Sequence, residues 1–294
     1  MDLIRESTLG DLLDTAIGYA GLFPPAALAM ERAVTGFLEY RRSPDAWALG
    51  HFIVPAARLD ELLAALPAEA RDFTVSATVG ADLEADGDRI ERFNRAAISK
   101  RVAVVVAEVK VTTPSDAARA AARFAGLSRW YGEVALATDN GWVLDQLVAV
   151  GGRAKVRTGG VTAEAFPSPA AVARFLKAVA IRALPFKATA GLHHPVRGNY
   201  RLTYAADAPI GMMFGYLNLF AGIHLARCGA SPDKIETTLD LTGPGAFRTD
   251  GDAVVWAGGR LDRGAARALR RDFDGFGSCS FREPIDELQP ATSS

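Results

Sequence analysis

Cysteine is scarce in this chain: its 294 residues include only Cys228 and Cys279. Two are too few for a disulfide framework, and their spacing suits no zinc site, so reduced, buried thiols are expected. Net charge is also lacking, since 33 basic and 34 acidic side chains leave −1 and no stretch gathers the basic ones. That removes nucleic acid and membrane surfaces from the expected partners. No Pro-, Gly- or Ser-rich linker divides the sequence, and no basic region followed by an apolar one opens it, so one domain over residues 1–294 and a cytoplasmic location are expected. The most apolar helical stretch, residues 212–226, is too short to span a bilayer and carries Asn218 and His224. No His-x-His or His-Glu-x-x-His spacing occurs, so no metal and no cofactor is expected.

What the chain does have is alternation. Hydrophobic residues make up 49% of it, enough for a large core. Candidate strands start near positions 17, 50, 73, 102, 133, 154 and 186, each followed by a helix-compatible segment. Residues 102–106 are apolar on both faces, as a buried parallel strand requires, and run on into Glu108 and Lys110. In residues 73–79, Thr74, Ser76 and Thr78 share one side, which in a barrel would line the interior. A fifth strand is expected over 133–137 and a closing one over 275–281. The pattern predicts an α/β fold, a TIM (β/α)8 barrel, with an inserted helix and hairpin region at about 196–272. Within that region, residues 194–210 read as loop, 212–227 as a helix that covers the barrel wall or a subunit contact and 246–261 as a hairpin.

The most informative stretch is 154–195. Ala-Lys-Val-Arg-Thr-Gly-Gly (154–160) and Phe-Lys-Ala-Thr-Ala-Gly-Leu-His-His-Pro (186–195) flank a helix that Ser168 can cap and Pro169 can start. Such a strand-helix-strand unit puts Lys155 and Lys187 at the same end of neighbouring parallel strands. Period-2 alternation sets Lys155 with Arg157 on one face, and Lys187 with Thr189 on another. A lysine desolvated beside other cations loses its proton more readily and becomes an imine-forming amine.

Three motifs then stand in barrel order: Lys155-Val-Arg-Thr158-Gly159, Lys187-Ala-Thr-Ala-Gly191 and Phe276-Gly277-Ser278-Cys279-Ser280. Together they resemble the deoxyribose-phosphate aldolase family of class I aldolases. The resemblance implies a Schiff-base lyase in which Lys155 is the nucleophile, Lys187 lowers its pKa, and Thr158, Gly159, Gly191, Gly277, Ser278 and Ser280 hold a phosphate-bearing substrate. The lysines are 32 residues apart, as in the family, whereas Lys187 and Gly277 are 90 apart, further than in the family. Arg157 stands where the family has serine, and Glu108 would substitute for its strand-four aspartate.

Other readings stay open from the residues themselves. The lysines can be interior cations paired with Glu108 or Asp139, and Glu108 can pair with Lys110 instead of relaying protons. Arg157 suits a carboxylate or phosphate clamp, since guanidinium stays protonated. His193 and His194, with Thr189, are candidates for substrate contact, although adjacent histidines on an extended loop point apart. The alternative function is a non-imine barrel enzyme, an isomerase, transferase or hydrolase using Lys and His as acid and base, or a protein that binds an anionic metabolite. The expected partner is a small phosphate- or carboxylate-bearing molecule, and a homo-oligomer is compatible with the sequence.

Overall fold

Eight parallel strands close into a barrel. The computed structural model describes residues 2–136 and 141–288. The strands are β1 (Ile17–Tyr19), β2 (Leu49–Pro55), β3 (Phe73–Thr78), β4 (Val102–Lys110), β5 (Arg129–Val134), β6 (Arg153–Arg157), β7 (Phe186–Thr189) and β8 (Phe273–Ser278). They pair in the ring β1-β8-β7-β6-β5-β4-β3-β2, and β2 returns to β1. Helices lie between them, so the chain is a TIM (β/α)8 barrel.

Local chemistry starts the helices where the alternation needs them. The Thr113 hydroxyl accepts from the Asp116 N–H at 3.3 Å and the Asp116 carboxylate accepts from the Thr113 N–H at 2.8 Å, a reciprocal cap with Pro114 in the first turn. Ser168 accepts from the Ala171 N–H at 3.2 Å at the start of the Pro169–Ile181 helix.

The apolar core lies between strands and helices. Phe37, on the Met30–Tyr40 helix, stacks on Phe52 of β2 at 5.1 Å, and Phe273 of β8 meets Phe186 at 5.0 Å and Phe220 at 5.2 Å. Inside the barrel the side chains are mostly polar. In β3, Phe73, Val75 and Ala77 join the apolar core. The alternating Thr74, Ser76 and Thr78 meet the cavities and Glu108.

Several elements differ from the sequence expectation. β5 begins at Arg129, four residues early, because its inward residues Arg129, Tyr131 and Glu133 carry no apolar signal; Ala137, the expected end, and Asp139, a suggested ion-pair partner, lie outside the described residues. Within 194–210, Gly198–Arg201 pairs antiparallel with Ile210–Met213. This half-exposed ribbon lacks the hydrophobic run that marks a buried strand. The expected hairpin over 246–261 is a three-stranded sheet of Phe247–Asp250, Ala253–Trp256 and Gly259–Leu261.

The helix in the excursion is Tyr216–Arg227, and it covers the barrel wall, with Tyr216 stacked on Phe276 at 5.1 Å. It is therefore the outer-layer helix between β7 and β8 rather than an addition, and the additions are the ribbon before it and, after it, the helices Pro232–Leu239 and Arg263–Leu269 and the three-stranded sheet. No helix among the described residues is long and apolar enough to cross a membrane.

The β7–β8 register shifts between Phe273 and Gly275, where Gly275 has φ +126° and its missing Cβ would run into the Ala16 carbonyl oxygen. Gly275→Ala should therefore cost about 3 kcal/mol or more in urea unfolding. Gly277→Ala, whose Cβ would sit 3.3 Å from the flexible end of Ile53, should cost clearly less.

Candidate active site

Near the centre of the barrel, the carboxylate of Glu108 sits between two ammonium groups. Its Oε1 accepts from Lys187 Nζ at 2.6 Å and from Ser76 Oγ at 2.7 Å. Its Oε2 lies 2.8 Å from Lys155 Nζ, which also lies 2.8 Å from Glu133 Oε2. Parallel register produces this arrangement, because Lys155 is paired with Lys187 on one side and Glu133 on the other. The two period-2 pairs of the sequence reading thus share one face, the barrel interior. Lys110, the other suggested partner of Glu108, is exposed at the end of β4.

Glu108, Lys155 and Lys187 are 3%, 6% and 8% exposed, so none of these charges is hydrated enough to stand alone. Burial by itself would raise the Glu108 pKa, but the adjacent ammonium groups of Lys155 and Lys187 outweigh it and hold this carboxyl well below the usual carboxylate range. Burial would likewise lower Lys155, but Glu108 and then Glu133 outweigh it and the net direction is upward. The sequence expectation that Lys187 and Arg157 depress Lys155 is thereby corrected: a carboxylate stands between the two lysines. Unliganded, Lys155 is an ammonium.

Lys155 and Glu108 line a cavity of about 260 Å³ at the C-terminal ends of the strands. Arg157, Thr189, Gly191, His193 and Gly277 also line it, and Phe23, Pro24 and Pro25 from the loop after β1 contribute an apolar wall. Arg157 is exposed. Lys187 does not reach this cavity and faces a second one at the opposite end of the barrel.

The remaining candidates build the walls rather than line them. Thr158 donates to the Ala190 carbonyl at 2.7 Å, tying the loop after β6 to the loop after β7. A Cβ on either Gly159 or Gly191 would meet the Phe166 ring, so this glycine pair makes room for an aromatic side chain, and Gly191 in addition has φ +72°. Ser278 Oγ lies 3.1 Å from His193 Nδ1, and Ser280 Oγ accepts from the Glu283 N–H at 3.2 Å. The two histidines do diverge. His194 turns to Glu287 at 2.8 Å and stacks on Tyr200 at 3.5 Å.

His193 is the polar group of the opposite wall. Its Nδ1 lies 3.3 Å from Glu283 Oε2 and 3.8 Å from Cys279 Sγ, and its Nε2 has no hydrogen-bond partner among the described residues. Burial would lower its pKa, but Cys279 and Glu283 outweigh that and bring it to about 9. At neutral pH it is an imidazolium.

Glu133, Cys279 and Glu283 were not singled out from the sequence. Cys279 carried a usable signal, since it shares the period-2 face of Gly277 and lines the cavity. Glu133 had none, because only the strand register sets it beside Lys155. Among the described residues, no cluster of His, Cys, Asp and Glu is arranged to hold a metal.

No protein-family model matches the chain, and no curated protein matches it. A solved structure that shares features of the fold is "Crystal structure of lysine/ornithine decarboxylase complexed with cadaverine from Vibrio vulnificus". Identity is 12%, the TM-score is 0.37, and the match covers 64% of this chain and 50% of that one. The chain thus spans about half the length of that protein. So slight a likeness says nothing of the site.

His193 sets a pH dependence whose sign follows from its pKa, which folding raises from 6.5 to about 9. Its stabilising contribution is full below pH 6.5 and is lost as pH rises through 9. Glu108 and Lys155 titrate outside that window. Urea midpoints of the protein should fall between pH 6.5 and 9, and His193→Gln should flatten the fall; an equally steep profile in the variant would show that His193 is not its source.

Proposed function

We propose that the C-terminal mouth is the active site of an aldolase-like carbon–carbon lyase acting on a small, oxygenated, anionic carbonyl compound through the amine of Lys155. The observation that carries this reading is the placement of Lys155 in the wall of a cavity, with Glu108 at 2.8 Å and Lys187 bound to the far oxygen of that carboxylate. The resemblance to deoxyribose-phosphate aldolases calls for an amine, a second lysine and a strand-four carboxylate; Lys155 and Glu108 can fill the first and last roles, while Lys187 is bound to Glu108 rather than depressing Lys155. A cavity of about 260 Å³ suits a substrate of a few carbons. Arg157 and the imidazolium of His193 would meet its anionic group.

Attack on a carbonyl requires Lys155 to give up its proton first. Glu133, 2.8 Å away and partly solvated, is the nearest acceptor besides Glu108. The free amine adds to the carbonyl carbon, and the proton taken by Glu133 returns to the carbinolamine oxygen, which leaves as water. The cationic imine then accepts the electron pair of the bond between its α and β carbons as the β-hydroxyl gives its proton to Glu133, which releases an aldehyde and leaves an enamine on Lys155. Glu108, hydrogen-bonded to both lysines, is placed to pass protons between them.

The raised pKa of Lys155 favours a second reading, in which the ammonium persists and stabilises an enolate without forming a bond to it. Borohydride separates the two. Incubation with small aldehydes, keto acids and sugar phosphates, followed by reduction, should leave an adduct on Lys155 detectable by mass spectrometry. Lys155→Met should abolish it, and Lys187→Met should slow its formation at least tenfold. Turnover without trapping would select the enolate reading, and neither turnover nor adduct across the panel would reject both.

A further inference from the structure

The larger cavity lies at the other end of the barrel. It measures about 580 Å³ and is lined by four arginines, Arg129, Arg153, Arg270 and Arg271, with Asp274 the one carboxylate among its lining residues. TIM barrels ordinarily close this end with packed side chains. Here that end is hollow, with polar and charged side chains and Gly18, Gly50 and Gly275 among its lining residues.

Asp274 cannot neutralise that charge. Its oxygens accept from Arg153 at 2.6 and 2.7 Å, from Arg129 at 3.2 Å and from Tyr131 at 2.7 Å. Arg270 donates to the backbone carbonyls of Phe273 and Asp14, and Arg271 has no ion-pair partner among the described residues. Asp11, in the adjoining crevice, is already bound to Arg263 and Arg267. The potential is felt nearby: His51, which lines the same cavity, is pushed down to about 4 by burial and then by Lys187 and Arg129.

An excess of guanidinium in a half-enclosed cavity calls for a counter-anion, and planar N–H forks match phosphate oxygens two at a time. We infer that this basin is a second binding site, separate from the mouth, for a small diphosphate-bearing compound. Its volume lies within the range of small-molecule sites.

Calorimetry and histidine NMR at low salt, with inorganic diphosphate as probe, test the assignment. One diphosphate should bind and shift the His51 ring resonances. Affinity should drop at least tenfold in Arg271→Glu, since the Arg271 side chain has no ion-pair partner among the described residues, and fall steeply with added salt. Binding should persist in Arg157→Ala/His193→Gln, which removes the anion-binding groups of the mouth. No binding up to about 10 mM would overturn the assignment. So would binding lost in the mouth variant but kept in Arg271→Glu.

Discussion

A carboxylate buried at the centre of a barrel must be shared by cations, and the rest of the interior follows from how Glu108 is shared. Its two oxygens each hold one lysine, and the lysines come from adjacent strands in direct register. Removing either lysine would leave charge unbalanced in a nearly dry site, at a cost of several kcal/mol. Strand order, side-chain period and charge therefore constrain one another. The same arrangement makes the two lysines unequal: Lys155 holds a second carboxylate and faces the C-terminal cavity, whereas Lys187 faces the opposite one.

The polar contacts continue along the barrel axis. Lys187 Nζ lies 5.4 Å from the centre of the Tyr131 ring, and the Tyr131 hydroxyl donates to Asp274 at the N-terminal end. Polar groups thus fill an interior that barrels of this kind usually pack with branched aliphatic side chains. Stability must then come from the layer between strands and helices, where Phe37, Phe52, Phe186, Phe220 and Phe273 are buried. This division leaves both ends of the barrel free to bind ligands.

The barrel was legible because most outer-layer strand residues are apolar and several helices are announced by a cap such as Thr113 or Ser168. The register of Lys155 with Lys187 was legible for the same reason, but the sequence put both at one end, whereas Lys187 turns to the opposite cavity. Their electrostatics were legible only in the alternative reading, which paired the lysines with Glu108; the expectation of mutual repulsion missed that this carboxylate stands between them, and only register reveals that Glu133 flanks Lys155. The glycines misled for a related reason: Gly159 and Gly191 look like a phosphate cradle, yet the ring they accommodate, Phe166, lies on a loop whose course the sequence does not give. β5 was placed late because an inward face of Arg, Tyr and Glu resembles a surface.

If Lys155 is the site amine proposed above, Glu108 and Glu133 keep it charged until a carbonyl compound arrives. Nitrogen-15 NMR of the lysine ammonium groups, assigned with Lys155→Met, measures this directly. In the unliganded protein Lys155 should titrate above the 10.5 of an ordinary lysine, and Glu108→Gln should bring it down. Titration of Lys155 near neutrality, or a value indifferent to Glu108→Gln, would contradict the account.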